Sequence, residues 1–151
     1  ACFWESVVTL NNWHQNRVSR LIVEKLFGTL SGKKIAILGF SFKANTNDTR
    51  ESAAIKVSEI LYDYGASLSI YDPMVTEKTI LNDIKNLWEV KISLNLVNIN
   101  IVDKLIDTYE CDAFVILTEW KEFEKIDIDK SKVIFDGRNI NQNQNTISIG
   151  K

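Results

Sequence analysis

Cysteine, histidine, proline and methionine are scarce in this chain of 151 residues, which has two, one, one and one of them. Cys2 and Cys111, with no CxxC spacing and only His14 beside them, encode neither a disulfide framework nor a zinc site and fit a reducing, cytoplasmic setting. No apolar run reaches the roughly 20 residues that span a bilayer, and the start lacks a basic region followed by a signal core. Positive charge is not in excess: 18 Lys and Arg against 20 Asp and Glu give a net charge of −2. That balance lacks the basic stripe of a nucleic-acid or membrane-surface binder, so any phosphate recognition is local. There is no initiating Met, and the chain opens directly into a helical pattern, which reads as a piece of something longer.

What is present is a core-forming composition, 45% hydrophobic and 25% charged, suited to one globular domain. From Phe3 to Leu30, Val7, Leu10, Val18 and Leu21 mark one helical face, widened by Trp4, Val8, Ile22 and Leu26. His14 lies on that face, where packing or an interface is the plainer role. Ser31-Gly32 breaks the pattern and marks a boundary between residues 1–30 and 31–151. Beyond it the spacing predicts a strand over 33–39, a helix over about 51–64 and a strand over 67–72. Gly65 falls at the expected helix C-cap, and Asp72-Pro73 turns the chain. A helix over 76–88, a short strand at 90–94 and a helix near 99–109 follow. Next come strands at 113–117 and 132–135 around a short helix near 120–125, an Asn/Gln-rich loop over 139–145 and an edge strand at 146–149. This alternation predicts an α/β fold, a Rossmann-like parallel sheet of five or six strands flanked by helices and preceded by one long amphipathic helix.

In such a sheet the strand ends Gly39, Asp72, Thr118 and Asp136 share one edge, the edge where α/β folds bind ligands. Beside them stand Phe42-Lys43, Arg50, Glu119-Trp120 and Gly137-Arg138, including two of the four arginines. Lys43, Arg50 and Arg138 are either contacts to an anionic ligand or solvated surface charges. Gly39 stands alone, followed by Phe40-Ser41-Phe42, so the GxGxxG fingerprint of a dinucleotide site is missing. Asp72 holds the place of a ribose-binding acid, but a turn residue ahead of Pro73 is the simpler reading. Asp48 and Glu51 have the spacing of a capping box. Trp88 and Trp120 read as core or rim aromatics, and Cys111 as a packing residue. Cys2 has no neighbouring base or cation to activate it.

The runs Lys34-Ile35-Ala36-Ile37-Leu38-Gly39-Phe40-Ser41-Phe42-Lys43, Asp48-Thr49-Arg50-Glu51-Ser52, Ile70-Tyr71-Asp72-Pro73, Thr118-Glu119-Trp120 and Phe135-Asp136-Gly137-Arg138 together carry a resemblance. In order and spacing the chain resembles the carboxyl-terminal part of the UDP-glucose 6-dehydrogenases. The resemblance implies that residues 1–30 belong to a central, dimerising helix and that residues 31–151 form a UDP-sugar-binding Rossmann-like domain. It implies substrate contacts by Phe42, Lys43 and Arg138, and a reach by Arg50 towards NAD held mainly by a domain outside this chain. The family oxidises UDP-glucose to UDP-glucuronate with two NAD through a catalytic cysteine. That cysteine motif does not occur in residues 1–151, so no catalytic residue and no metal ligand is assigned, and the piece alone is expected to be inactive. Related GDP-mannose and UDP-N-acetyl-hexosamine dehydrogenases share the Phe-Lys and Arg-Glu-Ser runs and remain alternatives, as does a mainly structural dimerisation module. The implied partners are UDP-glucose or UDP-glucuronate and a second copy of the chain, not nucleic acid or membrane, in the cytoplasm.

Overall fold

A computed structural model describes residues 17–26, 30–89 and 98–149. The predicted strand at 90–94, Cys2, His14 and the stretch of helix before Arg17 lie outside the described residues. Within them, helix α1 covers 17–25. It is followed by β1 (Lys34–Leu38), α2 (Ala53–Asp63), β2 (Ser67–Tyr71), α3 (Glu77–Leu87), β3 (Ile99–Ile101), β4 (Ala113–Ile116), β5 (Val133–Asp136) and β6 (Thr146–Ser148). The six strands form one sheet in the order β3-β2-β1-β4-β5-β6, every pair parallel, as the alternation predicts.

Strand side chains alternate between faces, so the inner strands β1, β2, β4 and β5 each serve two cores. Ile35 and Ile37 of β1 face one cluster with Val57 and Leu61 of α2, Ile80 and Ile84 of α3, and Val18, Ile22, Leu26 and Leu30. Ala36 and Leu38 face the other, with Phe114, Ile116, Trp120, Phe123 and Ile126. The second face is covered by loops and by two short 3-10 turns, Leu105–Thr108 and Lys121–Phe123.

The local signals read from the sequence explain most boundaries. Gly65 takes φ 98° and closes α2 in a Schellman motif, with Gly65 N donating to Tyr62 O at 2.9 Å and Ala66 N to Leu61 O at 3.2 Å. Thr76 caps α3 by accepting from Thr79 N at 3.2 Å. Three expectations need correction. Residues 99–101 form an edge strand rather than the start of a helix, because Ile99, Asn100 and Ile101 pair with Leu68, Ser69 and Ile70 of β2, and pairing decides for β-branched residues. The helix expected near 120–125 is only the three-residue turn Lys121–Phe123. The capping box of Asp48 and Glu51 does not form. Ser52 is the cap of α2, accepting from Ala54 N at 3.2 Å, while Glu51 sits at φ 61° and Asp48 turns to Arg50.

Candidate functional site

The carboxyl ends of β1, β2, β4 and β5 are joined by a hydrogen-bond frame that begins at Gly39. Its φ of 97° is one that L side chains rarely adopt, and a Cβ there would lie 2.5 Å from Thr118 Oγ1 and 2.8 Å from Thr118 N. The close approach lets the buried Thr118 hydroxyl donate to Ser41 O at 2.8 Å, tying the loop after β1 to the end of β4. Gly137 allows a second approach, since a Cβ there would meet Ile116 O at 2.8 Å.

Asp72 is the hub of the frame. Only 8% exposed, its carboxylate accepts five N–H groups: Phe40 N (2.8 Å), Ser41 N (2.9 Å) and Trp120 Nε1 (3.2 Å) on Oδ2, Met74 N (2.8 Å) and Val75 N (3.1 Å) on Oδ1. The turn role expected of it is real but smaller than the whole. Asp136, 1% exposed, does the same after β5, accepting from Arg138 N at 2.9 Å and from Ile140 N and Asn141 N at 2.7 Å each.

On this frame the loops present their side chains. Phe42 is 44% exposed although its backbone is fixed by donation to Asp48 O at 2.7 Å. Lys43 is exposed, and its ammonium makes no hydrogen bond or ion pair with any described residue. The Arg138 guanidinium donates to Leu117 O at 3.0 Å and to Phe42 O at 3.2 Å and lies 3.3 Å from Glu119 Oε2. The fold thus brings Phe42, Lys43 and Arg138 to one rim from loops far apart in sequence. Arg50 behaves differently. Its side chain is 88% exposed and is folded back on Asp48, with Nε 3.0 Å from Oδ1 and a terminal nitrogen 2.8 Å from Oδ2. Chiefly through the side-chain hydrogen bond from Arg50, the Asp48 carboxyl is lowered to about 2, and the guanidinium is raised in turn.

The strand order is that of a dinucleotide fold, in which a pyrophosphate sits against the backbone after β1 and the start of the next helix. The residues present do not fit that group. The N–H groups of Phe40 and Ser41 are already taken by Asp72, Ser52 caps α2, and Glu51 adds a carboxylate beside it. Among the described residues no cluster of His, Cys, Asp or Glu is placed to hold a metal ion, and no helix is long and apolar enough to cross a membrane.

Residues 36–143 match the UDP-glucose/GDP-mannose dehydrogenase family, UDP binding domain, and so cover the sheet edge and every loop of the rim. The chain belongs to this family. It is 39% identical over 145 residues to a UDP-glucose 6-dehydrogenase of Caenorhabditis elegans, covering 91% of this chain and 30% of that one. With the Drosophila melanogaster UDP-glucose 6-dehydrogenase it shares 39% over 163 residues, covering 99% of this chain and 33% of the relative. Among solved structures, a UDP-glucose dehydrogenase from the archaeon Pyrobaculum islandicum superposes with a TM-score of 0.72 at 26% identity, over 94% of this chain and 30% of that one. The chain therefore spans about a third of the length of the relatives it matches.

Seen as a UDP binding domain of this dehydrogenase family, the rim contains two residues whose part the sequence did not reveal. Glu119 stood in the Thr118-Glu119-Trp120 run with no role, because its partners Ala44 and Arg138 are distant in sequence. Asp72 could be recognised as a hub only once parallel pairing set Leu38 beside Tyr71. Cys111 is the packing residue expected: buried, with its thiol pushed up mainly by that burial.

Proposed function

We propose that this chain is the UDP-sugar-binding portion of an NAD-dependent UDP-glucose 6-dehydrogenase, which converts UDP-glucose to UDP-glucuronate with two NAD. Residues 31–151 bind the nucleotide sugar, and residues 1–30 contribute a dimerising helix in a cytoplasmic enzyme. Phe42 packs against the ligand, Lys43 supplies a point charge to the diphosphate and sugar, and Arg138 offers the remaining edge of its guanidinium. Arg50 contacts NAD, which residues outside this chain hold, by exchanging its Asp48 partner for the cofactor. No residue of this chain is given a catalytic role.

The observation that carries the reading is the pairing of a Lys43 ammonium unpartnered among the described residues with a fixed Arg138 on one rim of a chain whose net charge is −2. Calorimetric titration with UDP, UDP-glucose and GDP-mannose tests it. Uridine-selective binding is expected, weakened about 10- to 100-fold by Lys43→Ala or Arg138→Ala, the scale of a charge-assisted hydrogen bond. Tighter binding of GDP-mannose than of UDP-glucose would assign the chain to that branch of the family. Affinity unchanged in both variants would remove the rim from the ligand site, and NADH production by the chain alone would refute the absence of a catalytic residue.

A further inference from the structure

Glu119 stands between the two halves of the rim, and each of its carboxylate oxygens has its own partner. Oε1 accepts from Ala44 N at 3.1 Å, and Oε2 lies 3.3 Å from Arg138 Nε. Arg138 in turn donates to Phe42 O. The residues on both sides of Lys43 are therefore tied, one by its carbonyl and the other by its amide, to a single carboxylate–guanidinium pair. The Lys43 carbonyl itself accepts from Ser41 Oγ at 2.9 Å. The pair is only partly shielded, with side-chain exposures of 38% for Arg138 and 36% for Glu119, and so adds little to global stability. Its effect is local order.

We propose that Glu119 is a positioning residue of the ligand site, holding the Lys43 backbone and the Arg138 guanidinium in one arrangement so that both cations meet an anionic ligand together. This rests on the reading of the rim as a UDP-sugar site. The carboxylate is unfavourable for an anion by charge alone, so positioning and electrostatics predict opposite signs when it is removed. Alanine provides neither anchor. Glutamine has one oxygen for Ala44 N–H, but its NH2 then faces Arg138, donor against donor. Preorganised ligand groups gain affinity by avoiding the ordering cost at binding.

The test is calorimetric titration of UDP into the wild-type chain, Glu119→Ala and Glu119→Gln, with hydrogen exchange at the Ala44 amide followed on the same samples. Glu119→Ala is expected to weaken UDP about tenfold and Glu119→Gln by less, the range of one or two charge-assisted hydrogen bonds. Exchange at Ala44 should accelerate in Glu119→Ala, stay protected in Glu119→Gln, and leave the Ile37 and Val115 amides unchanged. UDP binding that is unaltered within about twofold or tighter in Glu119→Ala, as the charge effect alone would give, overturns the proposal. So does unaltered exchange at Ala44. If Glu119→Ala does not fold, Glu119→Gln decides by the same sign, since tighter UDP binding would make charge, not position, the role of Glu119. Absence of UDP binding by the wild-type chain would instead strike the reading of the rim, while Ala44 exchange would still report whether Glu119 holds the loop.

Discussion

Replacing Asp72 should cost more than any other single change at the sheet edge. Its two oxygens serve five N–H donors, of which those of Phe40, Ser41, Trp120 and Val75 are buried and that of Met74 is half-buried. In Asp72→Asn the single amide oxygen keeps the larger set, Phe40, Ser41 and Trp120, and the NH2 group is pressed against the amides of Met74 and Val75. The buried Val75 donor is then left without an acceptor and the Met74 amide meets another donor, a cost of about 2–3 kcal/mol. Asp72→Ala leaves four buried donors without an acceptor. Water entering as the loop opens limits the loss, but about 5 kcal/mol remains, comparable with the whole stability of a weak domain at about 5–15 kcal/mol. Urea unfolding followed by tryptophan fluorescence reads this directly, because Trp120 touches Asp72 and reports the loop as well as the global transition. With an m-value of about 2 kcal/mol/M, Asp72→Asn should lower the midpoint by about 1 M, and Asp72→Ala by about twice that or abolish folding. A change below about 0.5 kcal/mol in Asp72→Ala, the scatter of ordinary surface substitutions, would refute the view of Asp72 as the hub.

Gly39→Ala should destabilise by about 2–4 kcal/mol, combining a left-handed backbone with the clash against Thr118, and thermal unfolding would show it as a fall in Tm. A variant that unfolds with the wild type would mean the two strand ends can separate at no cost. The Asp48 carboxyl should titrate at about 2 by carboxylate NMR and rise in Arg50→Ala, which removes the side-chain hydrogen bond but keeps the one from the residue-50 amide. Because the folded value is depressed below 3.8, the Asp48–Arg50 contact favours folding above the unfolded value and that preference is lost as pH falls towards 2. A normal Asp48 titration in the wild type would mean that the Arg50 guanidinium is not folded back on Asp48.

The sheet was legible because its strands are marked twice, by apolar runs and by what ends them. Ile35 to Leu38 before Gly39, and Ala113 to Leu117 before Thr118, needed no tertiary information. Ile99-Asn100-Ile101 was misread because a three-residue edge strand is too short to show a period, and only its neighbour β2 decides its state. The capping box failed for a related reason. Asp48 and Glu51 have the right spacing, yet the serine one residue further on sits nearer the first turn and is buried against Ser41. Phe42, Lys43 and Arg138 could be picked out as exposed candidates, since strand-end position and residue type are both one-dimensional. Glu119 could not, because its importance lies in joining two loops, and sequence separation hides that.

Helix α1 shares its core with β1, since Val18 and Ile22 of the helix, with Leu26 and Leu30 beyond it, pack in the same cluster as Ile35 and Ile37. Close-packed interiors leave little room for one element to shift without its neighbours, so the packing of the helix and that of the strand are coupled. A large-to-small change at Ile22 should therefore loosen β1 together with α1, because the same core holds both.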